Sequence, residues 1–300
     1  MKRLLTYLFL IVSVIVVYSK RNDIYKVYMR LFDNVSYSIT PLEKNKYYRE
    51  NDYKYVKITD NFVPSSKQDI LNIYYTVVNS GMNEFTFYCD DKYVNCLSDI
   101  EAIADDQTTI STINNFVHPF NSFNTIETEI DSRGIIKLKI DHVYSDEMMI
   151  LINYKIDEIY KNVYRENVGI EYNIKAFHDY IIDHTQYDKE RADSKIVKYK
   201  SDNAYGVLIE GIGLCGGYTD TMMLFLDRLN VKNYKVSTNN HTWNRVYLND
   251  KWLHLDLTWD DPISEDGKSV LDHSYFLITT SELKTIEKNE HNYESAIYDN

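Results

Sequence analysis

The stretch from Tyr205 to Pro262 constrains this chain more than any other. It reads YGVLIEGIGLCGGYTDTMMLFLDRL and, after a short connection, NNHTWNRVYLNDKWLHLDLTWDDP. Met222, Phe225, Leu226 and Leu229 fall at i, i+3, i+4 and i+7, one face of a helix. Thr219 and Asp220 lie in or near its first turn, where short polar and acidic residues satisfy free amides. Cys215 is therefore expected at a helix N-terminus, whose unpaired N–H groups and dipole favour thiolate. Gly216 and Gly217 should leave the backbone bare for a carbonyl to approach. A lone cysteine at a helix start is more often a small buried hydrophobe, so its role depends on whether a base can reach it.

The segment after the helix reads as a hairpin. His241 to Leu248 and Trp252 to Leu257 are strand-like around Asn249-Asp250, a two-residue turn signal. That loop pairs Leu248 with Lys251 and Tyr247 with Trp252, and sets Trp243 opposite Asp256. His241 then lies diagonal to Asp256 on one face, within reach of a hydrogen bond. A three-residue loop would turn Asp256 to the other face. Cysteine, histidine and aspartate in this order supply a nucleophile, a base and a group that orients the base. His254 shares the Asp256 face and is a rival base, but the register sets it opposite Arg245, further along the hairpin.

These motifs, G-x-C-G-G-Y, H-T-W-N-R-V and K-W-L-H-L-D-L-T-W-D-D-P, resemble the transglutaminase-like superfamily of papain-related thiol enzymes. Upstream, Ile174 to Tyr180, Gln186-Tyr187-Asp188 and Ser201 to Gly206 look like the family's preceding segments. The resemblance covers roughly residues 146–300. It implies that Cys215, His241 and Asp256 are catalytic, and that the Cys-bearing helix packs on an antiparallel sheet carrying the other two. Asp250 stands where many relatives carry Gly, a departure at the hairpin tip only.

The rest of the chain divides around this unit. Lys2 and Arg3 precede an apolar run from Leu4 to Tyr18, and Lys20-Arg21 follow, the layout of an export signal. We read residues 1–20 as an uncleaved membrane anchor with the body outside, or else as a cleaved signal of a secreted protein. Residues 21–51 read as a stalk. Residues 52–144 read as a small α+β domain, with a helix over Asp69–Ser80, a strand over Glu84–Cys89 and a short helix over Leu97–Ala104. Strands at Thr125–Ile130 and Ile135–Val143 flank the Asp131–Gly134 turn. Residues 145–300 read, by the resemblance, as the transglutaminase-like domain. It opens with a helix capped by Ser145, continues with one presenting Ile170, Ile174, Phe177 and Ile181, and ends with a strand at Ser274–Thr279. Helices first and antiparallel strands afterwards make the class α+β.

Cysteine usage agrees with export. Cys89 and Cys96 flank a turn-like Asp90-Asp91-Lys92 and are expected to form a disulfide, leaving Cys215 as a free thiol. No zinc ligand pair follows at finger spacing, so no metal or cofactor is expected. A net charge of −12 argues against nucleic acid as a partner. The expected partner is a protein or peptide at the cell surface or envelope, attacked at an amide carbonyl through a Cys thioester. Water or an amine then decides between peptidase, deamidase and transglutaminase. Trp243, Trp252 and Trp259 are candidate walls of the cleft. The rival reading is a non-catalytic adhesion or envelope module on the same fold. Sortase-type transpeptidation fails on residue order. Metal hydrolysis through His178, His184, His241 and His254 lacks a two-ligand helix motif.

Overall fold

The structure, a computed structural model, describes residues 13–14, 16–21, 40–262, 270–287 and 289–299. Most of the expected N-terminal anchor therefore lies outside the described residues. Among the described residues no helix is long and apolar enough to cross a membrane.

Helix α1, Lys67–Ser80, starts where the Ser66 side chain accepts the Asp69 amide and stops at Gly81, in left-handed conformation at φ 75°. It packs behind a three-stranded antiparallel sheet of β1 (Glu84–Tyr88), β2 (Phe123–Ile130) and β3 (Ile135–His142), in the order β1-β3-β2. Inward Ile136, Leu138 and Ile140 alternate on β3 with Lys137 and Lys139, which pair with Glu84 and Glu129 on the wet face. Helices α2 (Cys96–Asp105) and α3 (Gln107–Ile113) close the region. Cys89 at the end of β1 is bonded to Cys96 at the start of α2, as expected.

Helix α4, Asp146–Val163, is capped by Ser145 and buries Ile152, Ile156 and Ile159. Helix α5, Ile170–Asp183, buries Ile174, Phe177 and Ile181. A two-stranded parallel pair, β4 (Gln186–Tyr187) with β5 (Ile212–Gly213), brackets the short helix α6 (Lys189–Ser194) and a π-turn at Gly206–Glu210. Then come α7 (Cys215–Arg228) and a second antiparallel sheet, β6 (Asn233–Ser237), β7 (Thr242–Leu248) and β8 (Lys251–Leu255). Helices α8 (Thr280–Ile286) and α9 (Ser295–Tyr298) finish the chain. The class is mixed α+β with antiparallel sheets.

The second sheet is a wall between two cores. Tyr234, Val236 and Trp243 join the core built on α1 and the first sheet. Val246, Leu248 and Leu255 join the core of α4, α5 and α7. Apolar side chains from alternate positions thus enter different cores, and neither face of the sheet is left to solvent.

Two expectations change. Ser274–Thr279 is not a strand: it makes one bridge, His254 to Ile278, and Leu277 sits at φ 52°, where a ladder cannot continue. The described end of the expected stalk is packed on the body, with Arg49 buried, 2.6 Å from Asp227 and 3.1 Å from the Asn233 carbonyl. A buried guanidinium needs such partners, and two elements of the body provide them.

Candidate active site

Cys215 is the first residue of α7. Its N-cap, Leu214, contributes no side-chain hydrogen bond, so no side chain caps the first-turn amides. The turn is anchored from below, where buried Asp220 takes Lys235 Nζ at 2.9 Å and the Tyr144 hydroxyl at 2.6 Å. Gly216 and Gly217 have a use other than the expected one. A Cβ on Gly216 would meet the Asp202 carbonyl at 2.6 Å, and one on Gly217 would overlap the Ser201 carbonyl. The glycines admit the chain's own 201–203 loop, which also accepts the Leu214 amide at 2.7 Å. Gly216 additionally lines a small cavity of about 250 Å³ with Asn114, Asp202 and Thr242.

The hairpin has the expected register, Leu248 with Lys251, Tyr247 with Trp252 and Arg245 with His254. Asn249 and Asp250 both have positive φ, 52° and 60°, the conformation a tight two-residue turn demands. His241 and Asp256 flank the paired segment, and His241 Nε2 lies 2.5 Å from Asp256 Oδ2. With Nε2 bound, Nδ1 is the nitrogen left for the thiol. Burial works against the imidazolium, but Asp256 and then Cys215, by hydrogen bond and charge, outweigh it and raise His241 to about 10. Burial likewise opposes the charge on Asp256, yet its imidazole neighbours hold the carboxyl far below its usual range. Asp256 Oδ1 accepts the amides of Thr258 and Trp259 at 3.0 and 3.3 Å, so the carboxylate is fixed at both oxygens.

His254 is placed elsewhere. Its Nδ1 accepts the Trp243 indole N–H at 2.9 Å, and Nε2 lies 3.1 Å from the Thr280 hydroxyl. Burial first, then the Arg245 charge, push it well below the ordinary histidine value. Trp243, 1% exposed, stacks beside His241 at 5.5 Å. It packs in the core against His254 and, from the C-terminal segment, His291 and Tyr293, where the expected cleft wall would have stood open. Trp259 is half-buried, edge-on to His241 at 6.4 Å, and Trp252 packs on Tyr234.

Sequence reasoning missed His291. Its Nε2 lies 2.8 Å from Asp256 Oδ2, the oxygen that also holds His241. No periodicity or motif marks it. Among the described residues two groups could in composition hold a metal ion: His241 with Asp256 and His291, whose imidazoles already share Asp256 Oδ2, and His178 with Asp179 and His273. In the second, Lys175 Nζ lies 2.6 Å from Asp179 and 2.7 Å from His273, so an ammonium already serves these atoms. His178 Nε2 meets buried Asp260 at 3.1 Å, which ties α5 to the segment after Asp256.

No protein-family model matches the chain, and no curated protein matches it. Among solved structures it is similar to one described as a TGase, at 19% identity over 45% of this chain and 44% of that one, with a TM-score of 0.34. It is also similar to a candidate cysteine protease from Cytophaga hutchinsonii, at 12% identity over 51% of this chain and 68% of that one, with a TM-score of 0.28. The chain thus spans less than half the length of the first of these proteins. At such distance the site's own geometry has to carry its chemistry.

Proposed function

We propose that the chain is a transglutaminase-like thiol enzyme acting on amide bonds of proteins or peptides. One observation carries this reading: a buried imidazole held on one nitrogen by a buried carboxylate, with a helix-start thiol among the groups that raise its basicity. A scaffold has no physical need for that set, whereas acyl transfer does.

In this reading His241 holds the proton of Cys215, and the thiolate attacks the amide carbonyl. First-turn amides of α7 receive the oxyanion that develops. The C–N bond breaks as His241 delivers its proton to the leaving nitrogen, and a thioester remains. Water, or the amine of a lysine, then attacks the thioester and returns a proton through His241 to the sulfur. Asp256 keeps the ring oriented and its positive charge compensated throughout.

The disulfide and the basic-flanked apolar N-terminus support an extracytoplasmic body, attached through that segment or released from it. Its substrate in this reading is a surface or envelope protein. The test offers a glutamine donor protein and a labelled primary amine, with Cys215→Ala alongside. Label incorporation defines a transglutaminase, ammonia alone a deamidase, and new peptide ends a peptidase. Undiminished turnover by Cys215→Ala removes the thiol mechanism altogether.

A further inference from the structure

We propose that His291 is a positioning residue of this site: it grips the same oxygen of Asp256 that holds His241 and sets how tightly that carboxylate holds His241. The inference rests on the functional reading above but on its own geometry. Asp256 Oδ2 is shared between two imidazoles, His241 Nε2 at 2.5 Å and His291 Nε2 at 2.8 Å. The His291 side chain is 0% exposed, and its Nδ1 faces Glu287 Oε2 at 3.1 Å. Glu287 is itself fixed by the amides of Asn289, Glu290 and His291 at 2.6 to 3.0 Å. Tyr275 stacks on the ring at 5.3 Å, and Trp243 meets its edge at 4.7 Å.

The charge follows from the donors. An ionised carboxylate only accepts hydrogen bonds, so both contacts form only when both ring nitrogens carry protons. The titratable groups around the ring are Asp256, Glu287, His241 at 5.2 Å between centroids, His254 and Tyr275. With both ring protons in place, His291 sets a second positive charge against the carboxylate that stabilises His241. Two effects oppose each other: the contact locks the carboxylate in place, and its charge weakens the hold of Asp256 on the His241 proton.

The experiment compares His291→Gln and His291→Phe by ¹⁵N titration of the His241 ring and by kcat and KM on the donor protein. Glutamine keeps a donor for Asp256 without the charge, and phenylalanine keeps neither. In both, the His241 titration should move up by about one pH unit. Loss of kcat should be about tenfold in the Phe variant and smaller in the Gln variant, with KM little changed. Should His291→Phe not fold, Glu287→Gln, which keeps an acceptor but removes the negative charge that stabilises the second ring proton, should displace the titration the same way. An unmoved His241 titration in the folded variants overturns the proposal, as does equal kcat loss in Gln and Phe. Since the titration needs no reacting thiol, it decides the role of His291 even if Cys215→Ala keeps its turnover and the functional reading fails.

Discussion

Among the described residues stand two three-stranded antiparallel sheets of similar size and opposite character. On β1-β3-β2 the strands alternate, with apolar residues inward and Lys137, Lys139, Glu84 and Glu129 paired in water. On β6-β7-β8 both faces are covered, and the strands with the residues just beyond them bury His241, Asn244, Arg245, His254 and Asp256. The first sheet obeys the period-two rule because one side is solvent. The second can bury charge because each of these side chains meets a neighbour, although Arg245 Nε has none among the described residues: Asn244 the Thr219 carbonyl at 3.1 Å, Arg245 Tyr293 and Asp299 at 3.0 Å, His241 Asp256. A departure from local rules that is repaired side chain by side chain marks where a fold has been shaped for something besides stability.

That contrast breaks most sharply at Asp256. Asp256→Asn should leave circular dichroism unchanged and lower turnover by about a thousandfold, somewhat less than the same change costs in a serine protease triad, because in the proposed mechanism a thiol is easier to ionise than a hydroxyl. Near-normal turnover in the folded variant would show the buried charges of the second sheet to be structural. The first sheet should respond in stability instead. Replacing Cys89 and Cys96 by Ser opens the short loop between β1 and α2 and should cost about 2–3 kcal/mol in denaturant unfolding, with kcat retained. A matching loss of kcat would mean that the two sheets are not separable in function.

Trp243→Phe is intermediate. It removes the indole N–H from His254 but keeps an aromatic ring beside His241, and should cost about 1–2 kcal/mol. The pH response sharpens the comparison further. His241 is raised from its unfolded value to about 10, so its contribution is complete below about pH 6.5 and fades as pH rises towards 10. The stability gap between wild type and His241→Gln should narrow over that range; a gap that widens reverses the sign of the coupling. Smallest of all, Lys139→Ala on the wet face should leave the unfolding midpoint unmoved, because an exposed ion pair adds little.

The sequence is readable where the rules are local. Asn249-Asp250 sets the hairpin register, and with it the meeting of His241 and Asp256, before any tertiary contact is considered. The same holds for Ser145 as a cap and for Ile174, Phe177 and Ile181 of α5, whereas Ile170, expected on the same inward stripe, is exposed at the helix start. The reading falters where distant segments decide. His291 reaches Asp256 from a stretch without periodicity, and Gly216 and Gly217 answer to Ser201 and Asp202 rather than to a ligand. Trp243 looks like a cleft wall until His291 and Tyr293, from a distant segment, are seen to pack on it. The Ser274–Thr279 segment alternates like a strand but turns at Leu277 and bridges only once. Strand β6, short and followed by a loop, is declared by its neighbour β7 more than by its own residues.

The bond between Cys89 and Cys96 has a bearing on damage. The chain has three cysteines, and this bond takes two of them, so Cys215 has no resolving thiol within its own molecule. A peroxide reaching that sulfur would yield a sulfenic acid that no internal disulfide can trap. Its fate is then set from outside. A small thiol such as glutathione would cap it reversibly, and in the absence of one further oxidant would carry it to the sulfinic acid, where activity ends.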